Sequence, residues 1–97
     1  MSNHLARVRA LPCCICEAEG MVQIGPTMAH HCIHGRYSTK KVPDTMAIPL
    51  CDAHHQGLWD RSAGKLAIHQ GKEAWAAAYG LDTEYIPQTL DKIEGNA

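Results

Sequence analysis

The chain of 97 residues has the length of a single domain, and its core must be small because it contains two tryptophans, three tyrosines and no phenylalanine. Its formal net charge of −1 argues neither for nor against a nucleic-acid partner, so any electrostatic attraction to nucleic acid must come from a local cluster of basic residues. No run of about 18 apolar residues predicts a membrane span, and no basic leader followed by an apolar stretch predicts a secretory signal.

Side chains that bind metals are frequent in this composition. Seven histidines and five cysteines occur in a chain whose small size favours stabilisation by a metal ion. The odd number of cysteines, without a predicted signal, indicates a reducing, cytoplasmic location. In that compartment cysteines bind metals more often than they form disulfides.

The first half of the chain predicts two strands that follow a short lead-in. Residues 5–11 predict a short helical or extended segment, and Pro12 restricts the backbone just before the first cysteine pair. A loose apolar and polar alternation predicts a strand over 27–32, and the apolar run over 45–50 predicts a second strand. The polar, basic segment between them predicts a loop of about ten residues, so the two strands should form a hairpin.

Two residues of the second half are possible helix caps. Asp52 can cap a helix that begins at Ala53. Ser62 can cap a second segment, AGKLAIHQ, that stops near Gly71.

The C-terminal part predicts two further helices. The run KEAWAAAY favours a helix with Trp75 and Tyr79 on one face, and Gly80 ends it. A last helix can begin at Asp82 or Thr83. The predicted fold class is therefore α+β, a two-stranded hairpin with flanking C-terminal helices.

Two pairs of metal-ligand residues have the spacing of a zinc knuckle. Each pair places ligands at positions i and i+3, so that one turn can bind one ion from two directions. Two such turns complete the tetrahedron that zinc prefers. The alternative is a set of buried cysteines without a metal. The spacing predicts a structural Zn²⁺ in a treble-clef-like knuckle, with ligands Cys13, Cys16, Cys51 and His54.

Several cysteines and histidines remain after this assignment. Cys14 and Cys32 are expected to be small buried side chains without a ligand role. His55 follows a knuckle ligand directly and should point elsewhere. His30 and His31 are neighbours on the first predicted strand and should face opposite sides of it, so one can bind a metal while the other faces a substrate.

The order of these motifs resembles the HNH, or ββα-metal, endonucleases, and more narrowly the phage-associated zinc-knuckle proteins that include recombination-enhancement nucleases. The resemblance rests on VRALPCCIC at 8–16, AHH at 29–31, KKVPDTMAIPLCDAHH at 40–55 and AIHQGKEAWAAAYGLD at 67–82. It implies one HNH-type nuclease domain over residues 1–97. It also implies metal-dependent hydrolysis of DNA phosphodiester bonds, in phage or prophage recombination or DNA processing within a bacterial host cell.

The resemblance further implies roles for the histidines. His31, the second histidine of the strand pair, would be the general base. Many HNH sites orient this base with an asparagine near the position of Met46, which this chain lacks, so Asp44 or Thr45 would take that role. A catalytic Mg²⁺, Mn²⁺ or Zn²⁺ would be bound by His30, His55 and His69.

The loop between the predicted strands carries the basic residues closest to this site in the sequence. Arg36, Lys40 and Lys41 are expected to contact the phosphate backbone of DNA, and Arg7, Arg9 and Arg61 can add to these contacts. No segment resembles a helix that reads base edges, so little sequence preference is expected, and a recombination protein is a possible partner. The alternative function is a zinc-knuckle module that binds nucleic acid or a protein without catalysis.

Overall fold

Two antiparallel strands form the centre of the computed structural model, which describes residues 3–33 and 43–95. Strand β1 (Thr27–His31) pairs with β2 (Ala47–Cys51), with Thr27 opposite Cys51 and His31 opposite Ala47. The predicted hairpin is therefore confirmed. Strand β2 begins at Ala47 rather than at residue 45, because Asp44–Met46 form a turn of 3-10 helix.

Helices precede and follow the two strands in the chain. This arrangement confirms the α+β class and the predicted C-terminal helices. The lead-in is helical, and Gly20 ends the second helix with a φ of 67° in the left-handed region that glycine adopts without strain. The described helices are α1 (His4–Arg9), α2 (Cys14–Glu19), α3 (Asp52–His55), α4 (Lys72–Tyr79) and α5 (Ile86–Gly95). None of them is long and apolar enough to cross a lipid bilayer.

Two apolar clusters pack against the sheet. The larger one surrounds the cysteines and includes Ile15, Ile48 and Trp75, all of which are fully buried. The smaller one joins α1 and α5 to β2 through Val8 and Ile93. All five residues of β2 are buried, because apolar side chains cover both of its faces. This strand is therefore a rigid base for the α3 residues that follow it.

The predicted cap at Asp52 is wrong. Helix α3 begins at Asp52 itself, and Cys51 occupies the N-cap position. The buried Asp52 carboxylate instead accepts hydrogen bonds from the backbone N–H groups of Trp59 and Asp60, at 2.9 and 2.8 Å. Burial opposes ionisation of Asp52, but these backbone donors outweigh it, and the pKa of Asp52 is lowered. The side chain thus holds the loop after α3 rather than the start of a helix.

The helix predicted after Ser62 is also wrong. Only Ile68–Gln70 is helical in this segment, as a single 3-10 turn. The Ser62 hydroxyl donates to Asp60 Oδ1 at 2.6 Å, so it bonds backwards and caps nothing downstream. Gly64 has a φ of 84°, which no right-handed helix accommodates.

The last two predicted helices are confirmed with one refinement. In α4, the rings of Trp75 and Tyr79 meet edge to face with centroids 5.3 Å apart, as their spacing predicts. The final helix starts as a 3-10 turn over Asp82–Tyr85 and continues as α5 from Ile86.

Candidate metal centres

The four predicted knuckle residues converge. Cys13 stands at the N-cap of α2, and Cys16 lies in its first turn. Cys51 ends β2, and His54 lies one turn later in α3. The sulfurs of Cys13, Cys16 and Cys51 lie 3.6, 3.6 and 3.3 Å from His54 Nδ1, and Cys16 Sγ lies 3.7 Å from Cys51 Sγ.

These distances fit a tetrahedral zinc ion. Bonds of about 2.3 Å to sulfur and about 2.0 Å to nitrogen give a tetrahedron with edges of about 3.5 to 3.8 Å. The measured separations of 3.3 to 3.7 Å are close to those edges. The four residues form a buried Cys/His cluster that can hold a metal ion, as predicted, and its donor set suits structural zinc.

The thiol pKa values give a further reason for a cation. The hydrogen bond from Cys51 lowers the pKa of Cys13, and the same bond raises the pKa of Cys51 to about 12. Burial raises the pKa of Cys16. A bound metal ion would deprotonate each thiol that coordinates it and so offset the cost of burying these groups.

Neighbouring side chains fix the backbone of this cluster. Trp75 Nε1–H donates to the carbonyl oxygen of His54 at 3.1 Å, and the Tyr79 ring meets the His54 ring edge to face. Gln23 Oε1 accepts from the N–H of Cys13 at 2.7 Å. The two half-sites are thus held by α4 and by the segment before β1.

The two cysteines predicted to have no ligand role are buried beside the knuckle. Cys14 and Cys32 both belong to the larger apolar cluster. Burial is the main cause that raises the pKa of each thiol, so both are protonated at neutral pH. Their buried positions agree with the prediction.

A second group of three histidines converges on the other side of α3. His30 comes from β1, His55 from α3 and His69 from the 3-10 turn before α4. The ring centroids are 4.8 to 5.4 Å apart, and one ligand atom of each histidine lies within 4.8 Å of the others. The structure thus brings together the three residues predicted as ligands of a catalytic ion.

The closest pair in this group has the spacing of two ligands on one ion. His55 Nε2 lies 3.2 Å from His69 Nε2. Bonds of about 2.1 Å give nitrogen separations of about 3.0 Å in an octahedron and about 3.4 Å in a tetrahedron. The observed pair lies between these values, so it fits either geometry.

The electrostatics of the histidine cluster favour neutral imidazoles, which is the form that binds metals. Burial, and then the proximity of His30 and His69, lowers the pKa of His55 to about 4. Burial and His30 also lower the pKa of His69. His69 is exposed, whereas His30 and His55 are buried. The cluster is therefore open to solvent on the His69 side.

The next residue of β1 points the other way. His30 is 2 % exposed, whereas the side chain of His31 is 36 % exposed. His31 Nε2 lies 3.0 Å from Asp44 Oδ1, and the Asp44 side chain is 37 % exposed. Of the two residues predicted to orient His31, Asp44 makes the contact. The contact uses Nε2 of His31, so Nδ1 can bind another partner.

The sequence prediction missed one buried residue that contacts the histidine cluster. Asp82 Oδ2 lies 3.0 Å from His30 Nε2, and both side chains are almost completely buried. The sequence placed Asp82 only as a helix start, because a single aspartate after a glycine carries no metal-site pattern. Its position in the segment GLD at the end of the quoted motif was the available signal.

The predicted DNA contacts divide into two groups. Arg36, Lys40 and Lys41 lie outside the described residues. The three additional arginines, Arg7 and Arg9 of α1 and Arg61 of the segment after α3, are exposed.

Comparison with known proteins identifies one family. The family model described as "Protein of unknown function (DUF968)" matches residues 1–94, which is nearly the whole chain. No curated protein and no solved structure matches the chain.

Proposed function

This chain belongs to the DUF968 family, and from its two metal-ligand clusters we propose that it is a metal-dependent endonuclease that hydrolyses DNA phosphodiester bonds. The proposal agrees with the resemblance of its motifs to the HNH endonucleases. The order β1, β2, α3 supports assignment to the ββα-metal class, with the thiolate knuckle as a treble-clef-like scaffold.

The observation that carries this proposal is the arrangement at residues 30 and 31. His30 belongs to a three-histidine cluster, and His31, next in the strand, is half-exposed and hydrogen-bonded to Asp44. A purely structural zinc protein needs only the first cluster. A second ligand set beside an oriented and accessible imidazole is what metal-assisted hydrolysis requires.

The residues of the chain would divide the work of hydrolysis. A divalent ion held by His30, His55 and His69 would stabilise negative charge on the scissile phosphate and on the leaving oxygen. Asp44 accepts the Nε2–H of His31, so in the neutral imidazole the lone pair lies on Nδ1. His31 Nδ1 would take a proton from the attacking water, a contribution of about 10²- to 10⁴-fold in rate.

The donor set also bears on the choice of ion. Three imidazole nitrogens suit Zn²⁺ and other transition ions, whereas Mg²⁺ prefers oxygen ligands and retains several waters. We therefore expect Mn²⁺ or Zn²⁺ to support cleavage better than Mg²⁺.

The proposed substrate contact is the DNA backbone. The segment that joins His31 to Asp44 along the chain contains Arg36, Lys40 and Lys41. Affinity should fall with rising salt and depend little on sequence, because phosphate contacts release counterions and read no bases. We place this activity in phage or prophage DNA processing in the bacterial cytoplasm, with a recombination protein as a possible partner.

Plasmid cleavage tests the proposal. Protein carrying one equivalent of zinc is incubated with supercoiled plasmid and Mn²⁺, Zn²⁺ or Mg²⁺. The variant His31→Ala should nick about 10²- to 10⁴-fold more slowly, and His4→Gln, which alters a histidine outside both clusters, should match the wild type. Equal nicking by wild type and His31→Ala would show that a contaminating nuclease cuts the plasmid. A wild type that binds one zinc, binds DNA and never cleaves would indicate the non-catalytic module instead.

A further inference from the structure

A fully buried carboxylate lies behind the histidine cluster. Asp82 is 0 % exposed and stands in the 3-10 turn that precedes α5. Burying a carboxylate is costly unless donors satisfy it. Asp82 Oδ2 accepts from His30 Nε2 at 3.0 Å and from the backbone N–H of Ile33 at 2.7 Å.

A third donor completes this environment. The Cys32 side chain is also hydrogen-bonded to the Asp82 carboxylate. Three residues of one short segment, His30 of β1 and Cys32 and Ile33 just after it, thus converge on one carboxylate that is distant in sequence. Two of them, Cys32 and Ile33, have no part in the proposed chemistry, whereas His30 does.

The contact with His30 determines which nitrogen can bind an ion. A carboxylate accepts the Nε2–H of the imidazole, so the lone pair of His30 resides on Nδ1. Outer carboxylate partners of this kind fix the tautomer and ring orientation of a ligating histidine and make it a better donor. The pair is buried on both sides, so water does not compete for the hydrogen bond.

We propose that Asp82 is a positioning residue of the histidine site, which acts through His30 and couples the start of the C-terminal helical segment to metal affinity. This inference rests on the proposed function only in that the three histidines bind an ion. The competing explanation is that Asp82 serves folding alone by anchoring Ile33 and Cys32.

Cobalt titration separates these explanations. Protein with its knuckle filled by zinc is titrated with Co²⁺ by calorimetry and visible absorption. Asp82→Asn keeps the size of the side chain and removes its charge, and we expect about 10- to 100-fold weaker Co²⁺ binding. Thr89→Val is the matched control, because it removes a buried hydrogen bond to Tyr85 in the same segment. It should lower the melting temperature without changing Co²⁺ affinity.

A double variant tests whether the effect passes through His30. If it does, adding Asp82→Asn to His30→Ala should cause no further loss of Co²⁺ affinity. Equal Co²⁺ affinities of wild type and Asp82→Asn would overturn only the positioning role of Asp82 and would leave the proposed ion site standing. A wild type that binds no second ion would overturn the proposed ion site and this inference with it.

A measurement without any variant guards against misfolding. Long-range ¹H–¹⁵N spectra of the wild-type protein report which nitrogen of His30 carries the proton. We expect Nε2–H before and after addition of diamagnetic Zn²⁺, with Nδ1 shifting on binding. A proton on Nδ1, or ligation through Nε2, would overturn the proposal.

Discussion

The Nε2 atoms of His55 and His69 face each other at 3.2 Å although 14 residues separate them in the chain. In a direct hydrogen bond between the two rings one nitrogen must donate to the other, so one lone pair is used within the pair. An ion between them would use both lone pairs instead. If the proposed ion binds here, it would therefore require no large rearrangement of α3 or of the 3-10 turn.

Removing His69 should abolish the second ion and preserve the first. His69→Ala removes an exposed side chain, so the fold and the thiolate knuckle should be retained. Metal analysis at saturating Co²⁺ should give one tightly bound ion for the variant and two for the wild type. His31→Asn is the control and should keep both ions, since His31 points away from the cluster. Two ions in His69→Ala would exclude His69 as a ligand.

The depressed pKa of His55 predicts how stability depends on pH. Its value of about 4 in the folded protein lies below the ordinary value of 6.5 expected in the unfolded chain. Between these values the unfolded chain binds more protons, so the free energy of unfolding decreases as pH falls from 6.5 toward 4. Above pH 6.5 the free energy of unfolding no longer changes with pH through His55. The lowered pKa of His69 makes stability depend on pH in the same direction.

Melting temperatures measured between about pH 7.5 and pH 5.5 would check this, with protein that carries one equivalent of zinc. Below about pH 6.5, the ordinary pKa of a free histidine, His55→Gln should have a shallower slope of melting temperature against pH than the wild type, because it has no imidazole to protonate in the unfolded state. His4→Gln should keep the wild-type slope. Parallel slopes for His55→Gln and the wild type would contradict the buried, neutral state of His55.

The features that local spacing determines were predictable from the sequence. A cysteine or histidine pair at i, i+3 sits in one turn wherever that turn lies, and strand alternation places His30 and His31 on opposite faces. The convergence of His69 with His55 was not derivable in this way. It was expected only because the motif order resembles the HNH endonucleases.

The features that were missed depend on hydrogen bonds to residues outside the predicted elements. Asp52 and Ser62 are good caps by composition, but Asp52 bonds to the loop at residues 59–60 and Ser62 bonds back to Asp60. Asp82 reaches His30 across 52 residues, a pairing that no local pattern contains. At these positions the hydrogen bonds that the side chains make in the folded protein therefore overrode local propensity.

The knuckle should be necessary for folding. The larger apolar cluster is built around Cys13, Cys16 and Cys51, and without an ion their thiols are buried donors with few acceptors. Binding of zinc contributes directly to folding free energy in such small domains. A strong chelator should therefore remove the cooperative thermal transition, and Cys16→Ser should unfold or melt far below the wild type.

The neighbouring cysteine provides a matched control for this prediction. Cys14→Ala removes a buried sulfur from the same helix but no ligand of the knuckle. The variant should keep one zinc per chain with a modest loss of stability. A melting curve that a chelator leaves unchanged would exclude a structural role for zinc.

The contact between Asp44 and His31 predicts a catalytic effect without a metal-binding effect. Asp44→Ala frees His31 to adopt either tautomer and to rotate, because the carboxylate that accepts its Nε2–H is gone. Plasmid cleavage should slow, but by less than the roughly 10²- to 10⁴-fold expected for His31→Ala. Co²⁺ affinity should not change. The exposed Asp91→Asn should cleave like the wild type and controls for the loss of a negative charge.

Because Asp44 would act only through His31, the two substitutions should not add. The double variant Asp44→Ala with His31→Ala should cleave no more slowly than His31→Ala alone, as residues that work as one unit do. Additive losses would mean that Asp44 contributes independently, for example by contacting the substrate or a metal-bound water. Unchanged cleavage by Asp44→Ala would show that His31 needs no carboxylate partner, and that the 3.0 Å contact serves the hairpin rather than the reaction.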